Sequence, residues 1–264
     1  MIARDYIIEW GENVPWIEPL HIEQDLIITR VLVEIFNHPK LSSSLAFRGG
    51  TALYKLFITP PMRYSEDIDL VQVQAGSIGE IMGAIKEVIN PILGVPKWKL
   101  SEGRATLFYR FQPEEYPETT VKLKIEINTR EHFAILGFVN KPFSVTSRWF
   151  TGKTEIQTYQ FNELLGTKLR ALYQRRKSRD LFDIWVAMTH DDFEPTKIIK
   201  AFQKYLEYEN KKITRKIFEQ NLAEKILSPE FTQDISPILA KGVRWDITKA
   251  VEQVQSKLLI LLTN

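Results

Sequence analysis

The chain has 264 residues, 44% of them hydrophobic and 26% charged, so it can bury a sizeable core as one unit or two apposed subdomains. It contains no cysteine, which excludes a disulfide scaffold and cysteine-ligated zinc. A formal net charge of only +2 means that any nucleic-acid binding must come from local patches. Residues 1–38 read as largely helical, with apolar residues at helical spacing through Ile22–Phe36. Residues 43–48 read as a short strand running into Gly49-Gly50, and Thr51–Phe57 as a short apolar helix. The next strand carries Asp67-Ile68-Asp69. Ser77–Asn90 reads as a helix stopped by Pro91 and Pro96. Lys97–Gln112 and Val121–Arg130 read as strands around a Pro- and Glu-rich turn, Gln112–Thr120, with a further strand or two inside Phe143–Gln157. From Asn162 the pattern turns helical, with helices expected at 162–175, 179–190, 195–210, 213–227 and 245–262. The boundary falls near residue 158. No repeat or low-complexity tract is present.

The chemistry concentrates in two pieces, Phe47-Arg48-Gly49-Gly50-Thr51-Ala52-Leu53 and Arg63-Tyr64-Ser65-Glu66-Asp67-Ile68-Asp69-Leu70. On a strand, Asp67 and Asp69 point the same way while Ile68 and Leu70 point to a core. Two such carboxylates repel unless a cation lies between them, and hard oxygen donors suit magnesium or manganese. Gly49 and Gly50 let a backbone approach an anion closely, and Thr51 suits a helix start, whose free N–H groups attract phosphate. An isolated Asp-x-Asp is more often an ordinary strand end. Joined to Gly-Gly-Thr and basic Arg63, it points to a phosphate cradle beside a two-carboxylate metal site.

A third carboxylate is offered by Val121-Lys122-Leu123-Lys124-Ile125-Glu126-Ile127-Asn128. The clean alternation puts Val121, Leu123, Ile125 and Ile127 on the core face and Lys122, Lys124, Glu126 and Asn128 on the other. Glu126 there could ligate metal and take the proton of an attacking hydroxyl. The densest basic run, Lys168 to Arg179, reads either as a contact for triphosphate and RNA backbone or as a solvated helix face. Lys168 stands apart, because Leu164, Leu165, Leu169 and Leu172 surround it and a lysine there can snorkel toward a cleft. Asp180 suits a helix start, and Asp183 has Arg179 at pairing distance along the helix. His21, His38, His132 and His190 are scattered and show no metal-ligand spacing.

These motifs resemble the AbiEii/AbiGii nucleotidyltransferase toxins, a branch of the DNA polymerase beta-like superfamily that includes the mycobacterial MenT toxins. The resemblance also takes in Lys124-Ile125-Glu126-Ile127, Lys168-Leu169-Arg170-Ala171 and Arg179-Asp180-Leu181-Phe182-Asp183, and spans roughly residues 30 to 190. It implies an α/β (α+β) fold: a nucleotidyltransferase core on a mixed sheet with flanking helices (1–158), followed by a C-terminal helical domain (159–264), the active site in the cleft between them. It implies metal at Asp67, Asp69 and Glu126, with magnesium or manganese as the ion. It implies nucleotide binding by Gly49, Gly50, Thr51, Arg63, Ser65 and Lys168, and a further aspartate that is Asp180 or Asp183. The implied reaction transfers a nucleoside monophosphate from an NTP to RNA, tRNA in particular, by a toxin that a cognate antitoxin neutralises. A small-molecule or protein acceptor, or a non-catalytic nucleotide-binding module, are the rival readings. No apolar stretch is long enough to span a membrane. The first residues, Met1-Ile2-Ala3-Arg4-Asp5-Tyr6, lack the pattern of a signal peptide, so a cytoplasmic location is expected.

Overall fold

A computed structural model describes residues 2–263 and shows a mixed α/β fold. Three helices lead the chain: α1 (Arg4–Gly11), α2 (Pro19–Asn37) and α3 (Pro39–Ser44). Pro19 and Pro39 occupy first turns, where a missing N–H costs nothing. Helix α2 fully buries Leu26, Ile28, Val31, Leu32 and Ile35. Each such side chain contributes about 1.5–3 kcal/mol.

Seven strands follow: β1 (Leu45–Arg48), β2 (Ile68–Gln72), β3 (Lys97–Ser101), β4 (Arg104–Phe111), β5 (Val121–Asn128), β6 (Phe138–Thr146) and β7 (Thr151–Tyr159). Between them run α4 (Gly49–Leu56), after β1, and α5 (Ile78–Leu93), after β2. The strands form one sheet in the order β3-β4-β5-β2-β1-β7-β6. Strands β2 and β5 are parallel, as are β1 and β7; the other neighbours are antiparallel. Helix α2 packs against β6, β7 and the helices α1, α3 and α5. The core beneath the centre of the sheet is Phe47 from β1, Ile68 and Leu70 from β2, and Leu123, Ile125 and Ile127 from β5. The Thr158 hydroxyl donates to the Phe47 carbonyl at 2.7 Å and pins β1, whose tip carries the glycines.

Several expected boundaries are corrected. Helix α5 runs through Pro91 to Leu93. The proline lies so near the end that it removes a single hydrogen bond, and Gly94, at φ +75°, closes the helix by donating to the Asn90 carbonyl. The stretch expected as one strand over 97–112 is a hairpin, turned at Glu102-Gly103, where Gly103 has φ +73°. Strand β5 stops at Asn128 rather than Arg130, and β6 and β7 extend beyond 143–157 at both ends.

The chain divides into two units, Met1–Phe133 with Phe138–Tyr159, and Ala134–Gly137 with Gln160–Asn264. The first holds the sheet. The second is helical: α6 (Phe161–Gln174), α7 (Ser178–Ala187), α8 (Pro195–Tyr208), α9 (Arg215–Ile226), α10 (Pro229–Gln233) and α11 (Ile247–Lys257), with 3-10 turns at Ser236–Ile238 and Leu259–Leu261. The expected helix 245–262 ends at Lys257, and the chain leaves α geometry so that Leu258, Leu259 and Leu262 are all buried. In α6, Gly166 lets α8 approach closely, since a Cβ there would lie 2.7 Å from that of Ala201. Glu163 on α6 is fully buried and satisfied. Its carboxylate accepts the N–H groups of Ile135 and Leu136, both at 2.7 Å, and the Tyr205 hydroxyl at 2.8 Å. Residues 134–137 are thereby tied to α6, which explains why they belong to the second unit.

Candidate active site

The register of the central strands builds the site. Arg48 on β1 lies opposite Asp69 on β2, and Asp69 lies opposite Glu126 on β5. Paired residues share a face, so these three form a row across the sheet. The alternate residues Phe47, Leu70 and Ile127 fill the core behind. Asp67 lies immediately before β2, one residue outside the strand that the sequence places it on, and still joins the same cluster. Its neighbour is Lys124 on β5, whose Nζ is 2.8 Å from Asp67 Oδ2 and 3.7 Å from Glu126 Oε2. Arg104 from β4 approaches Glu126 Oε1 at 3.4 Å.

Burial pushes the Asp67 carboxyl above its usual range, against the Lys124 hydrogen bond, and the charges of Asp69 and Glu66 add to the rise. Burial would lower Lys124, but the Asp67 bond and the charges of Asp67, Asp69 and Glu126 hold its pKa above the ordinary lysine value. At neutral pH the ammonium therefore stays charged among the carboxylates.

The glycines are packed against this cluster. Gly49 has φ +84°, and a Cβ there would lie 2.3 Å from Asp69 Oδ2. A Cβ on Gly50 would lie 2.4 Å from an Arg63 guanidinium nitrogen and 3.1 Å from the Ser65 hydroxyl. A side chain at Gly49 would be strained by its φ and would displace Asp69, and one at Gly50 would have to shift the Arg63 guanidinium. Helix α4 begins at Gly49, two residues earlier than expected, with Arg48 as its N-cap and Thr51 in its first turn. Thr51 Oγ1 donates to the Asp67 carbonyl at 2.5 Å and lies 2.9 Å from the Ser65 hydroxyl. This ties the first turn of α4 to the segment before β2. Arg63 is buried and donates to the Tyr64 carbonyl at 2.8 Å. A cavity of about 40 Å³ adjoins it, lined by Trp16, Asp25, Thr51, Tyr54, Lys55 and Ser65 among others.

Gly49, Gly50, Thr51, Arg63, Ser65, Asp67, Asp69 and Glu126 all belong to the first unit. Lys168, Asp180 and Asp183 belong to the second, where they meet one another. Lys168 Nζ is 3.2 Å from Asp180 Oδ1 and 2.7 Å from Asp183 Oδ2, and both carboxylates are fully buried. Arg175 adds two hydrogen bonds to Asp180, at 2.7 and 2.9 Å. Asp183 therefore does not take Arg179 as its partner. Arg179 instead makes a two-bond pair with Asp234, at 2.9 and 3.0 Å, and Lys177 approaches the same carboxylate at 3.3 Å. Much of the basic run is thus neutralised within its own unit. Lys124, Arg104 and Arg48 were not among the expected site residues; the alternation of β5 already placed Lys124 beside Glu126, whereas Arg104 and Arg48 join through strand pairing alone.

The sequence pattern of the family described as "Nucleotidyl transferase AbiEii toxin, Type IV TA system" matches residues 30–253. The chain belongs to this family. It is a nucleotidyltransferase of the toxin class. Among solved structures, the nucleotidyltransferase toxin MenT4 from Mycobacterium tuberculosis H37Rv shares the fold with a TM-score of 0.68 at 16% identity, covering 99% of this chain and 91% of that one. JHP933 from Helicobacter pylori gives a TM-score of 0.56 at 17% identity, covering 92% of this chain and 91% of that one. No curated protein matches the sequence. Among the described residues no helix is long and apolar enough to cross a membrane.

Among the described residues, no group of three carboxylate or imidazole side chains already converges on a single metal position. The donor set nevertheless fits a hard divalent ion. Asp67, Asp69 and Glu126 offer oxygen donors from one face, and Gly49 leaves the space that Asp69 occupies.

Proposed function

We propose that this nucleotidyltransferase transfers a nucleoside monophosphate from an NTP to the hydroxyl of an RNA acceptor, tRNA in particular. The acceptor oxygen forms a bond to the α-phosphorus, the bond from that phosphorus to the bridging oxygen breaks, and pyrophosphate leaves. Asp67, Asp69 and Glu126 are the residues that would hold magnesium or manganese, which supplies charge neutralisation on the phosphate oxygens when bound. Glu126 receives the proton of the acceptor hydroxyl. Gly49, Gly50 and Thr51, at the start of α4, present backbone N–H groups to the triphosphate, and Ser65 and Arg63 shape the adjoining wall. Lys168, with Asp180 and Asp183, completes the proposed functional set. The protein acts in the cytoplasm as a toxin, and a cognate antitoxin offsets it.

The observation that carries this reading is the row Arg48–Asp69–Glu126 beside Asp67, set against Gly49, whose φ of +84° and closeness to Asp69 disfavour a side chain. The test incubates the protein with each α-labelled NTP, divalent metal and total RNA, with Asp69→Asn in parallel. The expected outcome is labelled RNA with the wild type and at least about a thousandfold less with Asp69→Asn, whose thermal unfolding is unchanged. Label on a small molecule or a protein would replace the RNA acceptor. Equal labelling by the two proteins would remove Asp69 from the chemistry.

A further inference from the structure

We infer that Lys124 is a tethered counter-ion, holding Asp67 and Glu126 together beside Asp69 until a divalent cation displaces it. The inference rests on the reading that these carboxylates are the metal donors. Three clustered carboxylates repel one another in the absence of a cation. In this chain the compensating charge is covalently attached. Lys124 stands two residues before Glu126 on the same strand face, and its ammonium bridges from Asp67 at 2.8 Å to Glu126 at 3.7 Å. It makes contact with the carboxylates that a metal would have to reach, so metal and ammonium compete for the same oxygens.

The exposure of the partners makes that exchange possible. The side chains of Lys124, Asp67 and Glu126 are 29%, 34% and 25% exposed. Ion pairs this close to water are weak, because the released groups are resolvated. A fully buried pair would resist displacement far more strongly. Lys124 is thus bound firmly enough to keep the carboxylates in place and loosely enough to leave. Arg104 plays a lesser part, since it reaches only Glu126, at 3.4 Å, and its side chain is more than half exposed. Lys124 acts here through the carboxylates, as a positioning residue.

The test titrates manganese alone, without nucleotide, into the wild type, Lys124→Gln, Lys124→Arg, Arg104→Gln and Asp69→Asn, and reads free manganese by its electron paramagnetic resonance signal. Lys124→Gln should bind manganese about three- to tenfold more tightly, Lys124→Arg should stay within about twofold of the wild type, and Arg104→Gln should change less than Lys124→Gln. The tightening should persist at 1 M salt, where the Debye length is about 3 Å and only direct contact survives screening. With a chelator present, Lys124→Gln should unfold at a lower temperature than the wild type, and manganese should close that gap. Unchanged manganese affinity in Lys124→Gln, or a gain that vanishes at 1 M salt, overturns the inference. So does a loss of NTP affinity at unchanged manganese affinity, which would make Lys124 a phosphate ligand. If the wild type binds manganese and Asp69→Asn does not, the metal reading stands whatever Lys124 does. If neither binds, both fall together.

Discussion

Two charged clusters, one in each unit, handle their charge in opposite ways. In the sheet unit, Lys124 and Arg104 meet Asp67 and Glu126 at the surface, with every partner at least a quarter exposed. In the helical unit, Lys168 and Arg175 meet Asp180 and Asp183, and both carboxylates are completely buried. The stoichiometry is similar and the solvent is not. Exposed pairs exchange at little cost, whereas a buried carboxylate without its cation carries an uncompensated desolvation penalty. The first arrangement can give its carboxylates to another cation. The second fixes the joint between α6 and α7, whose facing side chains carry these charges.

The largest effect on this comparison is expected from Asp183→Ala. It removes the carboxylate nearest Lys168 and leaves that buried ammonium sharing Asp180 with Arg175. Breaking a buried pair costs about 3–5 kcal/mol. For a chain of this size that corresponds to a fall in Tm of roughly 6–20 °C, measurable by calorimetry. Lys168→Met should fall by a comparable amount, since it strips the shared cation from both carboxylates. Its turnover, measured well below its own Tm, then separates the two roles. Activity lost beyond the fraction unfolded assigns Lys168 to the triphosphate as well as to the fold. A variant with unchanged Tm would break the comparison, because the helical pairs would then be as expendable as those on the sheet.

Arg175→Ala should have a smaller effect. Its side chain is 53% exposed, and Asp180 keeps Lys168 when the guanidinium is removed. A loss of about 1–2 kcal/mol is expected, because a hydrogen bond to a charged group contributes about 1.5–3 kcal/mol and solvent screens an arginine this exposed. RNA affinity at low salt should change little, because Asp180 already neutralises this arginine. Arg176→Ala, on an exposed residue of the same run, should weaken RNA binding more and flatten its salt dependence. Equal losses in the two variants would show that the Arg175–Asp180 pair opens to admit phosphate.

Much of this arrangement was legible before the fold was known, and the remainder has a common physical cause. Period-two alternation placed Lys124 with Glu126, because side-chain direction along a strand is a local property; it also put Asp67 on the strand of Asp69, which begins one residue later, at Ile68. Hydrophobic patterning gave the strands and helices, and the mixed sheet came only with the family resemblance. What sequence could not supply was register. That Asp69 faces Glu126 depends on parallel pairing across more than fifty residues, and that Arg48 faces Asp69 depends on an antiparallel pair. Leucines around Lys168 signalled an unusual lysine, yet a snorkelling lysine and a buried, paired one share that signature. The partners Asp180 and Asp183 come from the next helix. The Arg179–Asp234 pair was invisible for the same reason, since a contact fifty-five residues away outcompetes the one four residues away. Pro91 misled because a proline's effect depends on how much helix remains beyond it.

The smallest expected effect concerns Lys225, a third way of burying a cation. It is 4% exposed, and its ammonium donates to the carbonyls of Leu172 and of Tyr173, the latter at 2.6 Å, near the C-terminal end of α6. These carbonyls have no partner within the helix, and a cation suits that end. Burial lowers the Lys225 pKa to about 8; Asp180 opposes the shift and Arg176 adds to it. The folded state therefore releases this proton at lower pH than the unfolded chain, where lysine titrates near 10.4. Between these values the unfolded state binds more protons, so stability from this group rises as pH increases from about 8 toward 10. Below pH 8 the cost of holding the buried ammonium is present in full. The two carbonyl bonds favour the charged form and oppose the shift. Lys225→Met should remove that slope, seen as the difference between wild-type and variant denaturation midpoints measured at pH 8 and pH 10. It should also leave two helix-end carbonyls without a donor, lowering stability at both pH values. A wild-type slope that survives the substitution would assign it to another group and place Lys225 with the freely charged lysines of the surface.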